Sequence, residues 1–402
     1  MHITILTQYY PPEIGAPQAR LSELSRGLVT RGHQVTVLTA MPNYPRGKVY
    51  PGYGGLMREE REDGVQIIRS GIVATRKAGM LPRLLNYFSF VISSVIVGAK
   101  FLPQADYLLT ESPPLFLGLS GYILSRLKKA QWLFNVSDLW PESAVRLGVI
   151  GNGLPLKLSE ALESFCYRKA WAVTGQSHTI LENIHERFPD IRTYHFSNGV
   201  DIDKFAPAVQ NGNEKVKHLL LATKRGTVAL YAGLHGMAQG LDQILLAAQR
   251  LKDLPDLEFV FLGDGPEKSA LIHMANDLGV DNVRFLDPLP REQMPAVLAA
   301  ADISLVPLKM YIPGAVPSKL YEAMASAIPV VLIAEGEAAQ IVRDNHAGLV
   351  VTPGDIEGIT NSLRALICDV NLRKQMGDSG RYAAAIYFDR AKIVDQFVDF
   401  LD

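Results

Sequence analysis

Two stretches of the chain begin alike. Residues 2–7, HITILT, and 227–233, TVALYAG, are short apolar runs rich in β-branched side chains. Each is followed by a glycine-containing loop, a segment with helical spacing of apolar residues, and a second apolar run. In the first half the helical segment covers 17–30 and the second run is QVTVLT, 34–39. In the second half they are 241–251 and LEFVFLG, 257–263. The pattern continues through VQIIRS, DYLLT, WLFNV and WAVTG in the first half, and NVRFL, ISLVP, PVVLI and GLVV in the second. Short apolar strands alternating with amphipathic helices predict parallel sheets with crossover helices. The expectation is an α/β protein with two Rossmann-like, doubly wound domains. The loop signals in 196-FSNGVDIDKFAP-207 place a hinge near 199–207. The predicted domains are 1–202 and 203–384, with a last helix in 385–402 crossing back to complete the first.

One run departs from the alternation. Residues 84–102, LLNYFSFVISSVIVGAKFL, are nearly all apolar and long enough for a membrane span. Asn86, Ser89, Ser93 and Lys100 fall on one narrow polar stripe of a helix. The pattern favours a helix buried in an α/β layer over a spanning one. A helix at the membrane surface is the third reading, since Arg76, Lys77 and Arg83 precede the apolar face.

Composition adds mostly exclusions. With 48% hydrophobic and 20% charged residues and a net charge of −1, no charge excess points to nucleic acid. Cys166 and Cys368 are the two cysteines, far apart, which argues against a disulfide framework or a cysteine-based zinc site. The first residues lack the basic lead of a signal peptide, so a cytoplasmic location is expected.

The loops carry the chemistry. Neither leading loop has the G-x-G-x-x-G dinucleotide pattern, and no phosphate loop is present. Gly15-Ala16 and Gly236-Met237-Ala238-Gln239-Gly240 nevertheless open the leading helices, where small residues let backbone amides approach an anion. Gly314, Ala315, Pro317 and Ser318 surround another helix start, with Pro317 suited to its first position. Lys319 lies in that first turn, where the helix dipole disfavours a cation unless an anion is bound. Glu322 shares its face. Two readings stand: a diphosphate on Lys319 with sugar hydroxyls on Glu322, or a surface ion pair between the two. Asp138, at the end of a strand in NVSDLWPE, either serves an acceptor hydroxyl or caps the next helix. Glu13 and Glu111 are also at strand ends. His33 reads as structural and Trp140 as packing.

The ordered set PPEIGAPQARLSELSRGLVTRGHQVTVLT, FSNGVDIDKFAP, YAGLHGMAQGLDQILLAA, FLGDGPEKSAL, VRFLDPLPREQMPAVLAAADISLVPL and VPSKLYEAMASAIPVV resembles retaining glycosyltransferases of the GT-B fold, family 4, over nearly the whole chain. TESPPLF, SDLWPES, GMAQGLD and PSKLYE resemble the bacterial O-antigen, capsule and colanic-acid subgroup, which includes the fucosamine transferase. The resemblance implies two domains facing across a cleft, with the second binding a nucleotide sugar. Glu322 matches the second glutamate of the family's E-x7-E motif, which holds the ribose. Gly314 stands where the first glutamate belongs, leaving the backbone of Gly314 and Ala315 to meet the donor. Leu234 and Gln239 stand where the family has an arginine and a lysine for the diphosphate. The work is then expected to fall to Lys319, the helix start at Ser318 and the amides around His235, Gly236 and Gln239. Gly265 and Leu286 match loops near the base, with uracil favoured over guanine. Gly15, Glu111 and Asp138 are the acceptor-side candidates, and Lys319 and Asp138 the catalytic ones.

The implied reaction is front-face transfer with retention, the leaving phosphate helping to deprotonate the acceptor. This needs no cofactor or metal and no facing pair of carboxylates of the glycosidase kind. The subgroup implies an undecaprenyl-diphosphate-linked glycan as acceptor and a peripheral place at the inner membrane. A nucleotide-sugar epimerase of the same fold and a non-catalytic subunit of a polysaccharide assembly complex are the alternatives.

Overall fold

The computed structural model describes the chain except for residues 14, 45–46, 76–79, 147, 149–150, 152 and 207–225. Arg76, Lys77 and the polar run after the predicted hinge therefore lie outside the described residues. The chain divides into two compact units, residues 1–197 with 393–402, and residues 198–392.

The first unit is built on eight strands: β1 (His2–Leu6), β2 (Gln34–Ala40), β3 (Met57–Glu62), β4 (Val65–Ser70), β5 (Tyr107–Ser112), β6 (Gln131–Val136), β7 (Ala172–Gly175) and β8 (Thr193–His195). Their order is β3-β4-β2-β1-β5-β6-β7-β8. All pairings are parallel except the β3–β4 hairpin. Register explains why the apolar runs become central strands. Ile67, Val37, Ile5, Leu109 and Leu133 are paired neighbours in one row across five strands. All five side chains enter the same core, under helix Ala16–Thr30 and the C-terminal residues Ile393, Val394, Phe397 and Leu401. Residues one step along, such as Leu6, Leu38 and Leu108, feed the core on the other face, beneath helices Met80–Phe101 and Leu117–Lys128. This is the period-two alternation of a sheet buried on both sides.

β3, MREERE, was not anticipated, because its apolar pattern is absent and it lies at a solvated edge. The readable signal was Asp63-Gly64. Both residues have positive φ, 48° and 80°, as a tight hairpin turn requires.

The second unit has six parallel strands: β9 (Thr227–Ala232), β10 (Leu257–Leu262), β11 (Val283–Leu286), β12 (Ile303–Pro307), β13 (Val330–Ile333) and β14 (Gly348–Val351). Their order is β11-β10-β9-β12-β13-β14. The direction of winding reverses between β9 and β12. The carboxyl ends of strands at such a reversal are where open α/β sheets bind ligands.

The domain boundary moves from the expected one. Asn198–Ala206 belongs wholly to the second unit, because Arg390 hydrogen-bonds the Asn198 and Gly199 carbonyls and Phe205 enters that unit's core. The crossing back starts at Ile393 rather than 385. Phe388 stays with the second unit, 4.7 Å from the Tyr321 ring.

The long apolar helix is also corrected. It runs Met80–Phe101; Asn86, Ser89 and Ser93 of its polar stripe face inward, while Lys100 is exposed. Gln8 Nε2 donates to Asn86 at 2.8 Å, Asn86 Nδ2 to the Val73 carbonyl at 2.9 Å, and the Val73 N–H to Ser89 at 2.9 Å. Ser93 Oγ donates to the Gly71 carbonyl at 2.5 Å. The polar residues saturate backbone that no strand satisfies. The apolar side chains Leu81, Leu85, Phe88, Ile92 and Ile96 are left exposed.

Candidate active site

Lys319 and Glu322 lie on helix Ser318–Ala325, just beyond β12. Pro317 is its N-cap, one residue earlier than expected, and makes no side-chain cap. The Leu320 N–H already donates to the Pro317 carbonyl at 3.0 Å, which leaves the amides of Ser318 and Lys319 as the ones without an intrahelical acceptor. Ala315 is less available than expected, since its N–H donates to the Ile312 carbonyl at 3.1 Å. Gly314 precedes it with φ 73°, a backbone conformation that suits glycine.

The Lys319 side chain runs across the end of β9. A Cβ on Gly233 would overlap Lys319 Cε, and Gly233 has φ 148°, so only glycine leaves this passage open. Lys319 Nζ stands 5.2 Å from the centroid of the Tyr231 ring, within cation–π range. Burial lowers the Lys319 pKa from its ordinary value; the Glu322 charge opposes this and the Arg291 charge adds to it. A desolvated ammonium with a cation nearby gains from a bound anion.

Glu322 is 8% exposed, and its ion pair is not with Lys319. Arg291 Nη2 stands 2.5 Å from Glu322 Oε1. Arg291 follows β11, where its guanidinium also lies 5.8 Å over the Phe205 ring. Burial works against its charge, but the Glu322 carboxylate outweighs this and raises the pKa. Arg291 Nε is buried without a partner. Sequence reasoning missed this residue. The signal was present, a basic side chain in the loop at the carboxyl end of a predicted strand.

His235 sits over an aromatic row that register creates. Tyr231, Phe261 and Phe285 are paired neighbours on β9, β10 and β11. Their ring centroids lie 5.8, 6.4 and 6.2 Å from the imidazole. The ring is fully buried and neither nitrogen has a partner. Burial first, then the Lys268 charge, lowers its pKa to about 4, against the opposing charge of Asp264. His235 is therefore a neutral imidazole near pH 7. Its main chain is held tightly: His235 N–H donates to Asp264 at 2.9 Å, and Glu267 N–H to His235 at 3.0 Å. A Cβ on Gly265 would overlap the His235 carbonyl oxygen.

The expected amide cluster is thus smaller than read from sequence. The His235 amide is spent on Asp264 and the Gln239 amide on Gly236, leaving Gly236 at the start of a single 3-10 turn, Met237–Gln239. Gln239 Oε1 is buried without a partner. Lys268, also missed, fastens neighbouring loops: its Nζ reaches the Gly263 carbonyl at 2.9 Å, the Leu286 carbonyl at 3.2 Å and Asp287 at 2.8 Å. Gly265, in the loop after β10, and Leu286, the last residue of β11, therefore both lend a carbonyl to Lys268, the first to its N–H and the second to its Nζ.

In the first unit the acceptor-side candidates separate. Gly15 is the N-cap of helix Ala16–Thr30. Glu111 is engaged by side chains of its own unit. Its carboxylate is buried and takes Arg20 and, at 2.5 Å, Ser137 on one oxygen, and Asn135 at 2.8 Å on the other. Glu13 is likewise occupied, by the Asn43 and Tyr44 amides at 2.6 and 2.7 Å. Asp138 accepts from Ser143 Oγ at 2.8 Å, so it ties helix Glu142–Arg146 through a side chain rather than capping its backbone. Burial raises its pKa, against the Ser143 and Leu139 hydrogen bonds. His33 contacts the N-terminal amine at 3.4 Å, and Trp140 packs edge-on to Phe116.

Residues 15–199 match the glycosyl transferase 4-like domain, and residues 213–382 match glycosyl transferases group 1. WcaI of Escherichia coli K12, provisionally described as a colanic acid biosynthesis glycosyl transferase, is 26% identical over 99% of both chains. The crystal structure of Anabaena HepE in complex with UDP-glucose superposes with a TM-score of 0.72, over 100% of this chain and 99% of that one, at 19% identity. The chain is a GT-B glycosyltransferase. A GDP-mannose-dependent mannosyltransferase from Mycolicibacterium smegmatis is 26% identical over 70% of this chain and 80% of its own length.

In this glycosyltransferase, Leu234 and Gln239 occupy positions where the resemblance leads one to expect cations. The Leu234 carbonyl accepts from the Tyr231 hydroxyl at 2.5 Å, while its side chain is 44% exposed. Among the described residues, Lys319, Arg291 and Lys268 are cations at this edge.

Proposed function

We propose that the enzyme transfers a sugar, with retention, from a nucleoside diphosphate donor to a hydroxyl of an undecaprenyl-diphosphate-linked glycan in bacterial surface polysaccharide assembly. The observation that carries this reading is Lys319, seated through the Gly233 passage at the carboxyl end of β9, with Glu322 on the same helix held by Arg291. Lys319 and the free amides at its helix start take the diphosphate, where preorganised charge stabilises the leaving group most effectively. Glu322 accepts from the ribose hydroxyls. Arg291 fixes that carboxylate and supplies a second positive charge beside Lys319. The neutral His235 contributes no charge. The leaving phosphate takes the acceptor proton, and Asp138 orients the acceptor hydroxyl.

A uracil donor is favoured, in keeping with the UDP-glucose complex of HepE. A guanine donor is the competing choice, since the mycolicibacterial relative is named for GDP-mannose. The donor sugar is proposed to be an amino sugar, and the enzyme to work peripherally at the inner membrane.

A panel of UDP- and GDP-sugars in thermal-shift assays is the first test, because a ligand bound to the folded state raises apparent stability by mass action. Nucleoside diphosphate released only with a lipid-linked acceptor, and a product of retained anomeric configuration by NMR, is the expected outcome. Isomerised donor without acceptor would make the protein an epimerase. An inert, unbound donor would make it a non-catalytic subunit.

A further inference from the structure

We propose that β3 is an interface between two copies of this chain, paired antiparallel about a two-fold axis at Glu60. β3 (Met57–Glu62) ends the first sheet, and among the described strands it pairs with β4 alone. Its outer side presents N–H and C=O groups with no ladder partner. Five of its six residues are charged, and Arg58, Glu59, Arg61 and Glu62 are exposed. Charges on an edge keep foreign strands away. Here the order of the charges also selects a strand that fits.

Alternation puts Arg58, Glu60 and Glu62 on one face of the strand and Glu59 and Arg61 on the other. Contacts within the chain agree. Glu60 is paired with Arg58 at 2.7 Å and with Arg69 at 2.9 Å, and Gln66 Nε2 donates to Glu59 at 2.7 Å. Arg61 and Glu62 make no ion pair or side-chain hydrogen bond among the described residues.

A two-fold axis normal to the sheet keeps each side chain on its own face, so each residue lies opposite one an even number of positions away. Three registers can then be compared. Centred on Arg61, arginine faces arginine and Glu60 faces Glu62. Centred on Glu59, that carboxylate faces its own copy, Arg61 faces Met57, and Glu62 falls beyond the strand. Centred on Glu60, Arg58 faces Glu62 and Glu59 faces Arg61, each twice. The two side chains left without an ion pair in one chain thus meet the opposite charge in the other. Glu60 faces Glu60, but Arg58 and Arg69 of each chain already neutralise that carboxylate. Opposite-charge pairs across strands contribute about 0.2–1 kcal/mol each. The closed symmetry uses up the edge, so pairing stops at a dimer. One six-residue strand a side is well below the standard interface, so the dimer is expected to be weak.

Sedimentation equilibrium of the full chain tests this. The expected result is a monomer–dimer equilibrium of micromolar order that weakens as salt is added. Arg61→Glu and Glu59→Arg each set like charges opposite one another twice. Each should weaken self-association at least ~10-fold, with an unchanged circular dichroism spectrum. Mixed together, the two variants should associate as well as the parent, because opposite charges then meet again. If either variant does not fold, cross-linking in a Cys368→Ser chain supplies the readout. Glu59→Cys and Arg61→Cys chains, mixed and oxidised, should join to each other faster than to themselves, since opposite Cα atoms of an antiparallel pair are within disulfide reach. A parent that stays monomeric at millimolar concentration overturns the proposal. So does undiminished association of the folded single variants, failure to recover on mixing, or cross-linking without that preference. None of these readouts depends on glycosyl transfer.

Discussion

Arg291 and Glu322 form an ion pair of 2.5 Å between the loop after β11 and the helix after β12, on either side of β10 and β9. Lys319, Glu322 and Arg291 thus stand near one another; the sequence analysis singled out the first two as candidates and not Arg291. The pair makes two kinds of outcome separable. Arg291→Gln leaves a nearly buried carboxylate without its partner and should cost about 1–3 kcal/mol of stability. It should also raise the donor KM. Urea denaturation and initial rates measure the two effects, and Arg291→Lys should recover the charge but only part of the geometry.

Lys319→Ala should lower kcat by about 100- to 1000-fold, the range seen when one preorganised charge stabiliser is removed. It should also remove most of the thermal shift produced by UDP. Gly233→Ala should mimic it in part, because the added methyl collides with the lysine Cε. An unimpaired Gly233→Ala enzyme would show that the lysine does not need that passage.

His235 links stability to pH. Its folded pKa, about 4, is below its ordinary value of 6.5. The folded state therefore resists protonation. Its contribution is intact above about pH 6.5 and is lost progressively as pH falls toward 4, at most about 3 kcal/mol for a shift of this size. Unfolding free energies of His235→Phe, measured from pH 7 to pH 4, should fall less steeply than those of the parent.

Glu111→Gln should behave as a structural change. It leaves the buried Arg20 without a counter-charge, for a loss of about 3 kcal/mol, and should leave the acceptor KM unaltered wherever the protein remains folded. A selective rise in acceptor KM without loss of stability would return Glu111 to the acceptor site.

Much of the architecture was legible because it is local. Alternating apolar runs and helical spacing give two parallel α/β units, since a strand buried on both faces and an amphipathic crossover helix each need the other. Glu322 and Lys319 were readable from a helix start with small residues. The polar stripe of Asn86, Ser89 and Ser93 was readable too, but its direction was not. A stripe on a helix shows that two environments differ, and only the carbonyls of Gly71 and Val73, set in place by the end of β4, decide which one the polar side chains face. Likewise an ion pair between residues 291 and 322, and an imidazole stripped of water by rings from three strands, have no spacing rule. They exist because strand order brings distant loops to one sheet edge, and register then sets which side chains meet there.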